Sequence, residues 1–387
     1  MKSQAFMFTQ CKKLKWLALL SGAALIAGTA LADDNKALLD VLVKKGILTS
    51  DEAQQIQTEV AQSQTKASSV KTTVSGKMYL DVSNITAETS NGTKVDPTGT
   101  GIDVKRFYFG VTHQFDDMWL ANINTDSAFS SATGTVSTFI KTAYVQAKFA
   151  PEAIVQLGSA NQPWIPFVED LYGFRYVENT LTDRLHVGNS ADWGVHLLGS
   201  NDLISYNVAA VNGGGYKNPT RSKTVDLEGR VSAEPMKGLV FAVGGYNGKL
   251  GKDTYALPTT SRTAARYDGL VSYVNSQFRV GAEYYSEDNW GNTLSTAKSD
   301  KGDGYSVWGS IKLADPVTAF VRYDNDKPSK TLHPNEKEWY GNIGLEYTAI
   351  KGVNLALVYK HDHIENPPAA STVTKYDEIG IFSQVVF

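Results

Sequence analysis

From Val70 to the C-terminus the chain keeps a two-residue hydrophobic rhythm, broken by alternately brief and lengthy polar stretches. Val74, Gly76, Met78, Leu80 and Val82 alternate with Lys77, Tyr79, Asp81 and Ser83. Phe107, Phe109 and Val111 alternate with Arg106, Tyr108, Gly110 and Thr112. Trp119, Ala121, Ile123 and Thr125 alternate with Asn122, Asn124 and Asp126, and near the end Val353, Leu355, Leu357 and Tyr359 share one face. A period of two is the pattern of strands with one apolar and one polar side. A soluble two-sheet sandwich has the same pattern, so the connections must decide.

Short polar turns fall at residues 116–117, 150–152, 200–202, 235–238, 275–276, 314–316 and 350–352. Longer polar stretches lie between them, near residues 90–100, 130–136, 162–190, 213–222, 247–263, 289–301, 325–335 and 365–371. Fifteen connections in strict rotation predict sixteen strands, the last ending at Phe387. Short turns at one end and long loops at the other describe an all-β, 16-stranded antiparallel transmembrane β-barrel. The sheet must close, because lipid offers no hydrogen-bond partner to an open edge. At sixteen strands the bore is wide enough for water. Ile379, Ile381, Val385 and Phe387 lie on one face, and the terminal aromatic suits a barrel-assembly signal. Phe115, Trp119, Phe149, Trp193, Tyr273, Phe278 and Tyr347 lie beside strand ends on the apolar face, where aromatic interface girdles occur.

Residues 1–32 read as a signal peptide. Lys12, Lys13 and Lys15 precede the apolar run LALLSGAALIAG, and Ala30-Leu31-Ala32 has the small-x-small form of a cleavage site. The run is too short to span a bilayer as a helix. Cleavage after Ala32 removes four lysines and no acid, leaving 33 basic residues against 40 acidic, a net charge of −7. The single cysteine, Cys11, leaves with the leader, which excludes a disulfide framework and a thiolate metal cluster. A pI near 6.1 argues against nucleic-acid binding. No cofactor is expected.

Residues 33–69 read as a periplasmic helical segment and tether. Leu38, Leu39, Leu42 and Val43 recur at helical spacing before Gly46. Thr49 to Glu52 is a capping box ahead of a stripe of Ala53, Ile56 and Val60. Two readings stay open, a short coiled coil that sets oligomeric state and a pair of marginal helices.

Two stretches carry a family resemblance. FIKTAYVQAKFAPEAIVQLGSANQP, residues 139–163, and VKRFYFGVTHQFDDMWLANINTD, residues 104–126, resemble hairpins of the phosphate-selective porins (O and P type) of Gram-negative bacteria. The resemblance implies a homotrimer that passes small hydrophilic solutes by diffusion, with phosphate or similar small anions preferred. The apolar exterior and the terminal Phe387 add outer-membrane lipid and the barrel-assembly machinery as expected partners. The chain departs from the family in lacking a dense lysine cluster in its loops; Lys217, Arg221 and Lys223 come nearest. A general-diffusion pore and a dicarboxylate or sugar pore therefore stay open.

The polar register supplies the expected bore lining. Arg106, Lys148, Arg230, Arg266, Arg279, Lys312, Arg322 and Lys360 stand there with Asp81, Asp126, Asp226, Glu228, Asp268, Glu283, Asp324, Glu346 and Asp362. Both signs together predict opposing basic and acidic walls. The stretch 162–190, QPWIPFVEDLYGFRYVENTLTDRLHVGNS, is the expected constriction. Its Glu169, Asp170, Arg175, Glu178, Asp183 and Arg184 would set selectivity, and an extracellular lid is the other reading. Arg175, Arg184, Arg106 and Lys148 form the expected anion-attracting wall. No Gly-x-Ser-x-Gly elbow follows the leader and no His-Glu-x-x-His occurs. His361 and His363 on one strand face lack a third ligand in the sequence, so an enzyme is not expected, and an adhesin fits a wide open barrel poorly.

Overall fold

The computed structural model describes residues 41–45, 49–56, 58, 70–130, 135–256, 262–295, 298–368 and 373–387. The expected leader and much of the segment 33–69 lie outside the described residues. Two compact units are distinguished, Met1–Ser69 and Val70–Phe387. In the first, residues 41–44 and 50–56 are helical. The capping box is formed there: the Glu52 N–H donates to Thr49 Oγ1 at 3.3 Å while the Thr49 N–H donates to Glu52 Oε2 at 2.8 Å.

The second unit is a closed antiparallel barrel in which each of sixteen strands pairs with its sequence neighbours. The strands are β1 Lys71–Thr89, β2 Lys94–Gln114, β3 Trp119–Ser130, β4 Thr135–Ala150, β5 Ala153–Asn161, β6 Ala191–Ser200, β7 Ile204–Val211 and β8 Asp226–Met236. They continue as β9 Leu239–Gly248, β10 Ala264–Val274, β11 Phe278–Asp288, β12 Lys301–Ala314, β13 Val317–Lys327, β14 Lys337–Ile350, β15 Val353–Glu365 and β16 Val373–Val386. β1 closes on β16 with Met78 opposite Val385 and Val82 opposite Ile381. Phe387 completes the seam: its N–H and C=O bond Gly76 at 3.0 and 2.9 Å, and its ring lies where a side chain on residue 76 would stand.

One connection differs from expectation. Residues 90–100 are not a long loop; β1 and β2 run on as a ribbon to a tight turn at 90–93. Polarity misled the assignment, because a ribbon that extends beyond the apolar belt is free to be polar on both sides. The outward faces carry Val195, Leu227, Val243, Val280, Val321, Ile343, Leu357 and Ile381, all exposed. Rings bound this apolar band at both ends. Phe115, Trp119, Phe149, Phe278 and Tyr347 lie toward the short turns, and Tyr267, Tyr284, Tyr305, Tyr323 and Tyr359 toward the long connections.

The chain between β5 and β6 carries two helices, α1 Ile165–Tyr172 and α2 Leu181–Arg184. Pro166 suits the first turn of α1, where the missing N–H has no intrahelical partner in any case. Gly173 ends the helix in the left-handed region at φ 82°, donating its N–H to the Glu169 carbonyl.

Candidate functional site: the bore and its inserted segment

Residues 162–190 pack against the inner faces of β8 to β15. Trp164 is fully buried and donates its indole N–H to Glu283 Oε1 at 2.8 Å. Phe174 stacks on Phe320 with ring centroids 4.2 Å apart, and Tyr172 meets Trp308 edge-on at 5.9 Å. Tyr176 donates to Glu346 at 2.6 Å. The apolar stretch that made residues 162–190 unusual among the polar connections is the face that covers this wall.

Four strand arginines then hold the segment by its backbone. Arg230 donates to the Pro163 carbonyl at 3.0 Å and Arg266 to that of Val187 at 2.5 Å. Arg279 reaches the carbonyls of Asp170 and Leu171 at 3.1 and 3.2 Å, and Arg322 that of Asn179. Such an irregular segment leaves carbonyls without internal partners; guanidinium groups, with donors in a fixed fork, satisfy several from one side chain.

Two of these arginines, Arg266 and Arg322, are also neutralised by carboxylates, whereas Arg230 donates to the hydroxyls of Ser205 and Ser232 at 3.1 and 2.7 Å. Arg266 pairs with Glu228 and Asp268, each at 2.9 Å, and Arg322 with Asp324 at 2.6 Å. Lys360 pairs with Glu178 at 3.2 Å and Glu378 at 3.0 Å. Arg184 of α2 meets Asp324, Glu338 and Asp362 at 3.2, 2.5 and 3.1 Å. Burial works against the charge of Glu178, but Lys360, Lys105 and the Asn179 N–H outweigh it and hold its carboxyl well below the usual range. The expectation for this wall is therefore corrected. Arg230, Arg266, Arg322 and Lys360 are buried beneath the inserted segment and do not face open water. Arg266, Arg322 and Lys360, taken from solvent, are compensated by partners of opposite sign, so this wall mixes both signs and is not an acidic wall facing a basic one.

The wall formed by β1 to β4 differs. Arg106 pairs with Asp126 at 2.8 Å, and Asp126 also accepts the Tyr216 hydroxyl. Beside that pair stand lysines that alternation alone does not find. Between β1 and β2 the register slips: Tyr79 faces Arg106 but Leu80 faces Val104, so Lys105 is an extra residue. Between β3 and β4 Asn124 faces Thr142 and Thr125 faces Ile140, which makes Lys141 the extra one. Each bulge turns two successive residues inward. Strict alternation would aim Lys105 and Lys141 at the apolar band, where a charge costs about 2–4 kcal/mol in lipid.

Rings support these lysines. Lys141 Nζ lies 5.0 Å from the centre of the Tyr108 ring, and Lys105 Nζ lies 5.0 Å from that of Phe382. Lys217, on the connection after β7, stands over Phe139 and Tyr216 at 5.3 and 5.6 Å. A lysine over a ring gains about 0.5–2 kcal/mol without losing its charge. Among the described residues no carboxylate oxygen lies within 4.0 Å of Lys77, Lys105, Lys141 or Lys217. Lys105 bonds a neutral acceptor, the Val177 carbonyl, at 3.1 Å.

Between this wall and the inserted segment lies a polar cavity of about 320 Å³, lined by Lys77, Tyr79, Tyr108, Asn124, Lys141, Glu169, Asp170 and Arg175 among others. Arg175 is held within its own segment by Glu169 at 2.6 Å and Asp183 at 3.3 Å. Burial pushes the carboxyls of Asp170 and Asp183 up; Glu169 adds to the rise at both, and Arg175 works against it at Asp183. Of the remaining expected residues, Lys148 is exposed beside the short turn at 116–118, away from the cavity, and Arg279 is half-buried under α1. His361 and His363 lie together on the outer face beside Trp339, with His361 Nδ1 at 2.6 Å from Asp377. Among the described residues no group of three or more His, Cys, Asp or Glu side chains is placed to hold a metal ion.

The signal that identifies Lys105 and Lys141 was present in the sequence: a lysine falling in the apolar phase of an otherwise regular strand. Reading it needs the rule that a charge on the lipid side forces a bulge.

No protein-family model matches the chain, and no curated protein does. Solved structures do. OmpT, an outer membrane protein of Vibrio cholerae, in its trimer form, is 13% identical, with 82% of this chain and 100% of that one covered at a TM-score of 0.55. The outer membrane channel DcaP of Acinetobacter baumannii is 12% identical over 83% and 98% of the two chains, TM-score 0.58. An anion-selective porin from Comamonas acidovorans is 11% identical over 82% and 100%, TM-score 0.57. At such identities the likeness carries the fold: this chain is a closed sixteen-stranded barrel similar to those of outer-membrane channels.

Proposed function

We propose that this protein is an outer-membrane porin, a water-filled channel for passive diffusion of small hydrophilic solutes that favours anions. The apolar band between two rings of aromatic side chains supports a transmembrane barrel. The observation that carries the anion preference is the unequal treatment of cations. On the β8–β15 side Arg266, Arg322 and Lys360 are enclosed and matched by carboxylates, whereas Lys77 and Lys141 line the polar cavity and Lys217 is exposed, with no carboxylate oxygen within 4.0 Å of them among the described residues. A low-dielectric wall with uncompensated charge of one sign concentrates counter-ions locally.

Within this reading the protein is exported, its leader is cut after Ala32, and it assembles as a homotrimer in outer-membrane lipid, delivered by the barrel-assembly machinery through Phe387. It performs no catalysis. Phosphate or another small anion is the solute that the family resemblance implies, and the fold neighbours include one anion-selective porin. Planar-bilayer recordings of the purified protein in a KCl gradient test the proposal. Stepwise conductance with a zero-current potential on the anion side is expected, reduced by added phosphate more than by a dicarboxylate. A potential on the cation side overturns the anion preference, and no conductance overturns the channel.

A further inference from the structure

We infer that the rings beneath the bulge lysines are positioning residues for ion selectivity: Tyr108 holds the Lys141 ammonium, and Phe382 that of Lys105, beyond ion-pairing distance of the carboxylates around them. The inference rests on the anion reading above and adds the residues that maintain it.

Lys141 shares its cavity with Glu169 and Arg175, and Asp126 and Asp183 lie close enough to act on its charge. A flexible cationic side chain among carboxylates ordinarily pairs with one of them, as the Arg175 guanidinium does with Glu169 and Asp183. Lys141 instead stands over the Tyr108 ring. A ring face attracts a cation through its quadrupole and brings no countercharge, so it fixes the ammonium and leaves its field intact. Tyr108 is itself braced edge-on by Tyr79 with centroids 5.8 Å apart. Phe382 gives the internal control. It carries two lysines: Lys360 at 4.1 Å, which Glu178 and Glu378 neutralise, and Lys105 at 5.0 Å, which no carboxylate reaches within 4.0 Å. The bulge on β2 separates the two outcomes, because it places Lys105 where the acceptor beside it is the Val177 carbonyl.

The test compares zero-current potentials of the full-length purified protein in a KCl gradient for the unaltered chain, Lys141→Gln, Tyr108→Leu and Tyr108→Phe. Lys141→Gln is expected to lower the chloride-to-potassium permeability ratio about fourfold, because one unit charge about 10 Å away through water changes the Boltzmann weight of each ion about twofold, in opposite senses. Tyr108→Leu changes no charge and is expected to lower the ratio by a similar factor, while Tyr108→Phe retains it. The inference is overturned when Lys141→Gln lowers the ratio and Tyr108→Leu does not, or when Tyr108→Phe loses as much as Tyr108→Leu; the anion reading survives both results. An unaltered protein without anion preference removes the reading and the inference together. If Tyr108→Leu does not assemble, Phe382→Leu against Lys105→Gln decides by the same comparison.

Discussion

On the β8–β15 wall Arg266 is enclosed by Glu228, Asp268 and the carbonyl of Val187; on the β1–β4 wall Lys141 meets the Tyr108 ring and a polar cavity. Both are strand cations turned inward in one barrel. The first has given its charge to holding the inserted segment, and the second has kept its charge for whatever passes. A charged side chain in a bore is therefore not by itself a selectivity element; its partners decide.

Removing one member of an enclosed cluster gives the largest expected change. Arg266→Met leaves Glu228 and Asp268 buried without their countercharge and is expected to cost about 3–5 kcal/mol, read as a lower urea midpoint for the folded barrel. A loss near zero would mean that the cluster is wet, and the contrast between the walls would fail. Trp164→Phe keeps most of the packing but strands the carboxyl of Glu283, and is expected to cost about 1–3 kcal/mol in the same measurement. Lys141→Glu is the opposite kind of change. Stability is expected to move by less than about 1 kcal/mol, while the zero-current potential moves toward the cation side. A large stability loss with an unchanged potential would assign Lys141 to the structural set.

The smallest effect is in pH. Asp170 and Asp183 have pKa values raised mainly by burial, so they take up protons before ordinary carboxylates as the pH falls toward about 4. Their charged forms weigh against the folded segment at neutral pH, and acid relieves that cost. Glu178 behaves in the opposite sense: its contribution is present above the ordinary carboxylate pKa and is lost as pH falls through its lowered folded value. Mild acid is thus expected to strengthen anion preference before it weakens the fold, as followed by zero-current potential and by heat-induced unfolding. A shift toward cations on mild acidification would show that these two aspartates do not face the path.

The strand count and the alternation of short and long connections were legible because both follow from local rules of turn chemistry and a period of two. The polar ribbon at the end of β1 and β2 was not, since polarity on both faces looks the same as a loop. The inward aim of Arg230, Arg266 and Arg322 followed from phase, yet their burial depended on the apolar residues of 162–190 finding that wall, a contact between distant parts of the chain. Lys105 and Lys141 stayed hidden because a one-residue slip reverses the facing of every side chain beyond it.

The contrast between the walls is tested most directly by thiol access. Cys11 is the only cysteine and lies in the expected leader, so single cysteines can be placed at Asn124, which lines the polar cavity, and at Asn342, buried beneath Tyr172. A charged thiosulfonate reagent added during bilayer recording is expected to reduce current through Asn124→Cys channels and to leave Asn342→Cys channels unchanged. Block at Asn342→Cys with none at Asn124→Cys would place the water on the other side of the barrel and contradict the assignment.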